Sequence, residues 1–226
     1  AVAAMLLLGM SILFPVLAQN RERARQIVCA NRLAAAGRAL GAYAVDHKGV
    51  LPRAGTWPGE VWWEVGTGCE DGKPYRSNSA HLRSLVRAGY LNPADLACPD
   101  NPNATGGAAV ARRDWPRPET VSFSYQNQFT PEPIVLEDHA EMAVLADRNP
   151  YFDRGPRSGP VVEISDAMKP TRQHQSIGQN ILAAAGHVGF HRKPMIGQDA
   201  IWTITGTTRY RGVEYPTRPG DSFLVP

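Results

Sequence analysis

Few of the residues that could do chemistry stand at the spacing that chemistry requires. His187 and His191 are four positions apart, which on a helix would point two imidazoles at one zinc ion. Gly189 between them and the local alternation predict a strand instead, and no H-E-x-x-H accompanies them. Structural or surface roles are expected for both. His174 precedes a loop, where a hydrogen-bonding role is expected rather than a metal. Asp147, Asp153 and Asp166 could offer calcium oxygen ligands from loops, but no D-x-D-x-D-G loop is present. Motifs for a nucleophile elbow, a P-loop or a dinucleotide fold are absent. Cys29 falls on an apolar helix stripe, which suits a small buried side chain better than a nucleophile. Asn103-Ala104-Thr105 fits a glycosylation sequon. The expectation is a protein that is not an enzyme, with no catalytic residue, no metal and no cofactor.

What remains is a question of elements. The chain has 226 residues, 43% hydrophobic and 20% charged, values ordinary for a soluble domain. Mean hydropathy is −0.30, which excludes a polytopic membrane protein. Gly 21 and Pro 19 predict a loop-rich body rather than a helical bundle. The net charge of +3 is uneven. Residues 1–50 carry +4 and the remainder −1, so the larger part lacks the basic face of a nucleic-acid binder.

Residues 1–18, AVAAMLLLGMSILFPVLA, contain no charge. As a helix they span about 27 Å, close to a bilayer core. A retained signal peptide would need a basic n-region, and a buried core helix rarely takes this form at a terminus. A helix that enters a membrane or an apolar assembly fits best. From Gln19 to His47 the pattern stays helical. Cys29, Leu33, Ala36, Leu40 and Tyr43 recur at 4, 3, 4 and 3, one stripe of a helix. One helix is therefore expected from about Ala1 to Asp46, roughly 70 Å long. Pro15 is expected to bend or locally melt it, and Gly49 to stop it. The domain reading is a stem at 1–50 (apolar 1–18, amphipathic 19–47) and a globular head at 51–226.

The segment SILFPVLAQNRERARQIVCANRLAAAGRALGAYAVDHKGVLP resembles the N-terminal region of bacterial type IV pilin-like proteins and type II secretion pseudopilins. It is most similar to prepilin-like proteins with an H-x9-D-G signature. Leu85 to Leu91 followed by Leu96-Ala97-Cys98-Pro99 resembles that group's "gyl…CP" segment. Gly178 to Leu182 followed by Gly186-His187-Val188-Gly189-Phe190 resembles its signature hairpin, for which His174, Gly186 and His187 are the candidate residues. Asp199 to Thr203 and the terminal Asp221 to Pro226 also fit. Two features depart from the pattern. The group's aromatic-Thr-Leu-x-Glu start, its processing and methylation site, is absent, as if the chain began about seven residues late. Its signature Asp is Ala185 here, and ten residues rather than nine separate it from His174.

The resemblance implies a structural subunit of an extracellular type IV pilus-like filament, anchored in the inner membrane before assembly. Its partners would be identical subunits and the pilus or type II secretion assembly machinery, with no nucleic acid. The alternative is a minor pseudopilin or membrane-anchored binding module of a type II secretion-like system. The filament core would be built by Leu6, Leu7, Leu8, Met10, Ile12, Leu13, Phe14, Pro15 and Leu17. Cys29, Leu33, Ala36, Leu40 and Tyr43 would pack the stem on the head. Arg21, Arg23 and Arg25 form a basic collar that the positive-inside rule would place in the cytoplasm. In an exported filament they would pair with acidic groups of neighbouring subunits, or form a solvated helix face.

The head reads as α+β with an antiparallel sheet. One helix is expected after Asn78 or Ser79 as cap, with Leu82, Leu85 and Val86 as its apolar face and Gly89 as its stop. Trp57, Trp62 and Trp63 are expected to cover the core. Strand candidates are Val121–Tyr125, Met142–Ala146, Asn180–Ala183, His187–Phe190, Ile201–Ile204 and Phe223–Val225, with a turn at Gly186. With 28 residues between them in a loop-rich region, Cys69 and Cys98 are the preferred disulfide in an exported protein, leaving Cys29 free. The other possibility is three reduced thiols.

Overall fold

The computed structural model describes residues 2–55, 59–66, 76–105, 113–152, 161–218 and 220–226, and the side chains of all of these except 2–10 and 12. The expected long helix is present as α1, Val2–Asp46. Its helical backbone continues through Pro15 without local melting. It ends where expected, with Lys48 and Gly49 at positive φ and the Gly49 N–H donating to the Ala44 carbonyl at 2.7 Å. Gly49 suits this position because a left-handed residue after a helix favours glycine.

The head is built on a five-stranded antiparallel sheet. Its strands are β1 (Phe123–Gln126), β2 (Ala143–Asp147), β4 (Gln179–Ala183), β5 (Val188–His191) and β9 (Leu224–Val225). Their order is β5-β4-β2-β1-β9. Two small antiparallel pairs flank it. One joins β3 (Val162–Glu163) to β8 (Arg209–Tyr210). The other joins β6 (Met195–Ile196) to β7 (Asp199–Ala200). The β4–β5 hairpin turns at Gly186, whose φ is +88°. The expected strand over Ile201–Ile204 is not one. These residues form buried turns after β7, with Ile201 N–H bonded to Pro194 and its carbonyl accepting from Leu224 N–H.

Both faces of the sheet are covered, which is why β1, β2 and β4 are buried along their whole length. Leu182 faces the stem with Leu145, Phe123 and Tyr125. Ile181 and Ala183 point the other way, into a layer with Ala146, Ile201 and Trp202. Burial on both faces also removes the polar face that alternation predicts for β1. Ser124 and Gln126 are buried, and each is satisfied by a loop: Ser124 Oγ accepts from Asn149 N–H and Gln126 Oε1 from Phe223 N–H, both at 2.8 Å. A third cluster sets Trp62 against Phe152 and Phe223 at ring separations of 5.0 and 5.3 Å. Trp62 and Trp63 are core residues; Trp57 lies outside the described residues.

Helix α2 (Ser79–Arg87) buries Leu82, Leu85 and Val86, and Gly89 at φ +82° follows its end. Neither expected cap works as one. Asn78 is the cap residue by position, but its side chain makes no capping bond. It spans to the sheet, donating to the Tyr125 carbonyl at 2.8 Å and accepting from Gln128 N–H at 2.9 Å. Ser79 donates to the buried carboxylate of Asp114.

Two predictions follow from this packing. A Cβ at Gly37 would sit 2.9 Å from Leu182 Cδ1. Gly37→Leu should therefore prise the stem from β4 and cost about 1–3 kcal/mol in urea unfolding, while Gly37→Ala costs less because the Leu182 methyl can turn aside. His81 is fully buried and its Nδ1 accepts from Ala54 N–H at 2.8 Å. Burial, aided by the Arg53 charge, pulls its pKa down to about 3. The unfolded ring binds a proton below about pH 6.5 and the folded ring resists it, so stability falls as pH drops from about 6.5 toward 3. His81→Gln should flatten that acid slope in unfolding curves at pH 7 and pH 4.5; an unchanged slope would remove His81 as its source.

Candidate functional site

The candidate features are set out along α1 and the segments packed against it. Glu22 is buried and the stripe after it is sealed against the head: Cys29, Leu33, Ala36 and Leu40 are all at most 1% exposed. Tyr43 is half-buried and packs edge-on against Tyr90 at 5.5 Å. The expected stem–head face is therefore present. Toward the N-terminus the head no longer covers the helix. Leu13, Phe14, Val16 and Leu17 are 56, 68, 47 and 49% exposed, and Pro15 is exposed beside them. The side chains of Leu6, Leu7, Leu8, Met10 and Ile12 lie outside the described residues.

The cysteine pairing corrects the expected one. Cys98 is bonded to Cys29, across 69 positions, with Cα atoms 5.4 Å apart; Cys69 lies outside the described residues. Cys29 is therefore not the free thiol expected on the helix stripe. The stripe that buries Cys29 faces the segment after α2, where Cys98 also points into the core. The bond thus ties stem to head rather than closing a loop inside the head.

Next to this bridge lies a cluster the sequence reading did not assemble. His174 is wholly buried in a 3-10 turn ahead of β4. Its Nδ1 is 3.2 Å from Glu22 Oε1 and 3.8 Å from Asp100 Oδ2, and its Nε2 is 3.2 Å from Asp147 Oδ2. Its backbone N–H donates to Asp100. Asp100 also takes Arg25 Nη1 at 3.0 Å, so one arginine of the basic collar pairs within its own chain; Arg21 and Arg23 are exposed. Asp147 is held by Asn180, which donates from its N–H at 2.6 Å and its Nδ2 at 3.1 Å. Gln26 donates to Glu22 at 3.3 Å. Burial is the largest influence on His174 and pushes its pKa down. The hydrogen bond and charge of Asp147, with the charges of Asp100 and Glu22, outweigh it, so the net shift is upward.

His174, Gln175 and Ser176 all have φ between +53° and +58°. Three successive left-handed residues without glycine cost about 1–2 kcal/mol each. The contacts of His174 on both ring nitrogens and its N–H hold the turn. His174 is not part of the β4–β5 hairpin as expected, but lies at the far end of β4 from Gly186. His187 is exposed in the turn just before β5, and His191 is the last residue of that strand, so the pair is not on a helix. Burial and the nearby His187 lower the pKa of His191. Of the calcium candidates, Asp147 is engaged as described, Asp166 is exposed and caps its own turn, and Asp153 lies outside the described residues.

The missed members had a signal. Carried back from Cys29 at the same 3-and-4 spacing, the stripe lands on Gln26 and then Glu22. A carboxylate on a helix face that is otherwise buried needs a partner in the head. Asp100 and Asp147 had no such signal, since only folding brings them to His174.

Cys98→Ser should cost about 4 kcal/mol on the loop-entropy estimate for a closure of this length, read as a fall in the urea midpoint. An unchanged midpoint would mean the bridge adds nothing. No protein family matches this chain, and neither a curated protein nor a solved structure matches it.

Proposed function

We propose that this chain is a structural subunit of an extracellular, pilus-like filament whose core is made from the bundled N-terminal halves of α1. The observation that carries this reading is the division of one continuous helix. Its second half is sealed into the head and tied there by a disulfide. Among the described residues of its first half, the large apolar side chains of Leu13, Phe14, Val16 and Leu17 stay exposed. Full burial of a Leu, Val or Phe side chain is worth about 1.5–3 kcal/mol. Four such residues on each stem therefore give a strong drive to associate, with more from the uncharged run before them. Among the described residues no helix is long and apolar enough to cross a membrane; the side chains of residues 2–10 and 12, most of that uncharged run, are not among them. Storage in a bilayer before assembly belongs to the same proposal, as does the absence of enzymatic activity.

The test uses full-length chain with its stem intact, released from detergent and imaged by electron microscopy. Fibres are expected. Leu13→Asp together with Leu17→Asp should abolish them while leaving the head's thermal transition in place. A detergent-free chain that stays monomeric with the stem intact would overturn the reading.

A further inference from the structure

Among the described groups in direct contact around His174, carboxylates outnumber the cations that pair with them. Glu22, Asp100 and Asp147 bring three carboxylates; Arg25 answers one of them. Asp147 and the imidazole face each other at Nε2, so in a neutral ring the proton belongs on that nitrogen. Nδ1 then presents a lone pair to two carboxylate oxygens, from Glu22 and Asp100. Something positive must stand between them. A proton on the ring leaves one carboxylate uncompensated among the groups in direct contact, whereas a divalent cation balances the set.

We propose that His174 Nδ1, Glu22 and Asp100 bind one divalent metal ion of the zinc class at the junction of stem and head. Asp147 is the outer carboxylate that orients the imidazole. The geometry suits it. Metal–ligand bonds of 2.0–2.2 Å put neighbouring ligand atoms about 3.3 Å apart at a tetrahedral centre. The observed separations from Nδ1 are 3.2 and 3.8 Å, and the three ligand atoms lie within 4.8 Å of one another. A carboxylate on the far nitrogen of a metal-bound histidine is the usual outer-shell arrangement, and Asn180 fixes that carboxylate in turn.

A second observation points to a ligand independently of the clustering. Glu22 is only 5% exposed, yet its Oε2 has no hydrogen-bond partner among the described residues. An unpaired, buried carboxylate oxygen is costly, and an ion held by both oxygens of Glu22 would satisfy it. A cavity of about 640 Å³ opens onto Glu22 between Arg23, Gln26, Gln175 and Arg192, giving water ligands and the ion a route in. Imidazole among the donors selects against calcium and magnesium, which take oxygen ligands. The sulfurs of Cys29 and Cys98 are also close to His174 and Asp147, but they are bonded to each other and are not ligands. This inference stands whether or not the chain polymerises.

The test titrates Zn²⁺ into the metal-free, full-length chain in detergent by calorimetry. One equivalent should bind saturably. Glu22→Gln and His174→Gln should each weaken binding at least tenfold, and Asp147→Asn by about 10–100-fold. X-ray absorption at the zinc edge of the loaded wild-type chain should show imidazole and oxygen ligands without sulfur. That spectrum decides the matter even where a variant fails to fold. Absence of one-to-one binding, a sulfur shell, a spectrum without imidazole, or wild-type affinity in folded Glu22→Gln would each overturn the site.

Discussion

A sheet of short strands has no stability until both of its faces are dry. Here one face is dried by a stripe of α1 together with α2, and much else follows from the α1 seam. Small residues lie on or beside the stripe, Cys29, Ala36 and Gly37 among them, so the helix axis can lie close to β4. Close approach makes the Cys29–Cys98 bond possible. It also brings Glu22, about two turns before Cys29, against His174. The seam ends there, and the described side chains before it are exposed. The contrast between a sealed and a bare half is a consequence of where the sheet stops, since the backbone helix itself does not change.

The other price of two dry faces is polar groups trapped inside. The strands are two to five residues long, too short to satisfy their surroundings by ladder bonds alone. Side-chain amides fill the gap. Asn78 links α2 to β1 and β9. Asn149 donates to the Leu224 and Trp202 carbonyls at 2.8 and 3.2 Å. Gln126 takes Phe223 N–H and gives to the Asp221 carbonyl. Each replaces water for a backbone group that would otherwise be buried unpaired. The same logic explains the left-handed turn at His174–Ser176: a strained backbone persists because its side chains and N–H are pinned from the stem, the segment after α2 and β2 together.

Under the proposed filament reading, these features act in series. The bare half of α1 supplies association, and the seam transmits its position to the head. The disulfide and the His174 cluster, on adjoining turns of α1, lock stem and head into one piece. A subunit joined this way cannot let its head swing freely on the helix, which is what a regular outer surface on a filament needs.

The sequence by itself determined the helix and its division. Charge-free residues 1–18 and a stripe repeating every 3 and 4 residues state locally which faces shun water, and that periodicity survives any tertiary arrangement. The same holds for the Gly186 turn and for most strands, because turn residues and apolar runs are local signals. Only the tertiary structure decided which cysteine Cys98 meets, that Asn78 serves the sheet instead of capping α2, that Ile201–Ile204 is buried turn rather than strand, and that three carboxylates from distant segments surround His174. Each of these is a contact between residues far apart in the chain. Pairings of that kind are set by how elements pack, and no spacing along one segment encodes them.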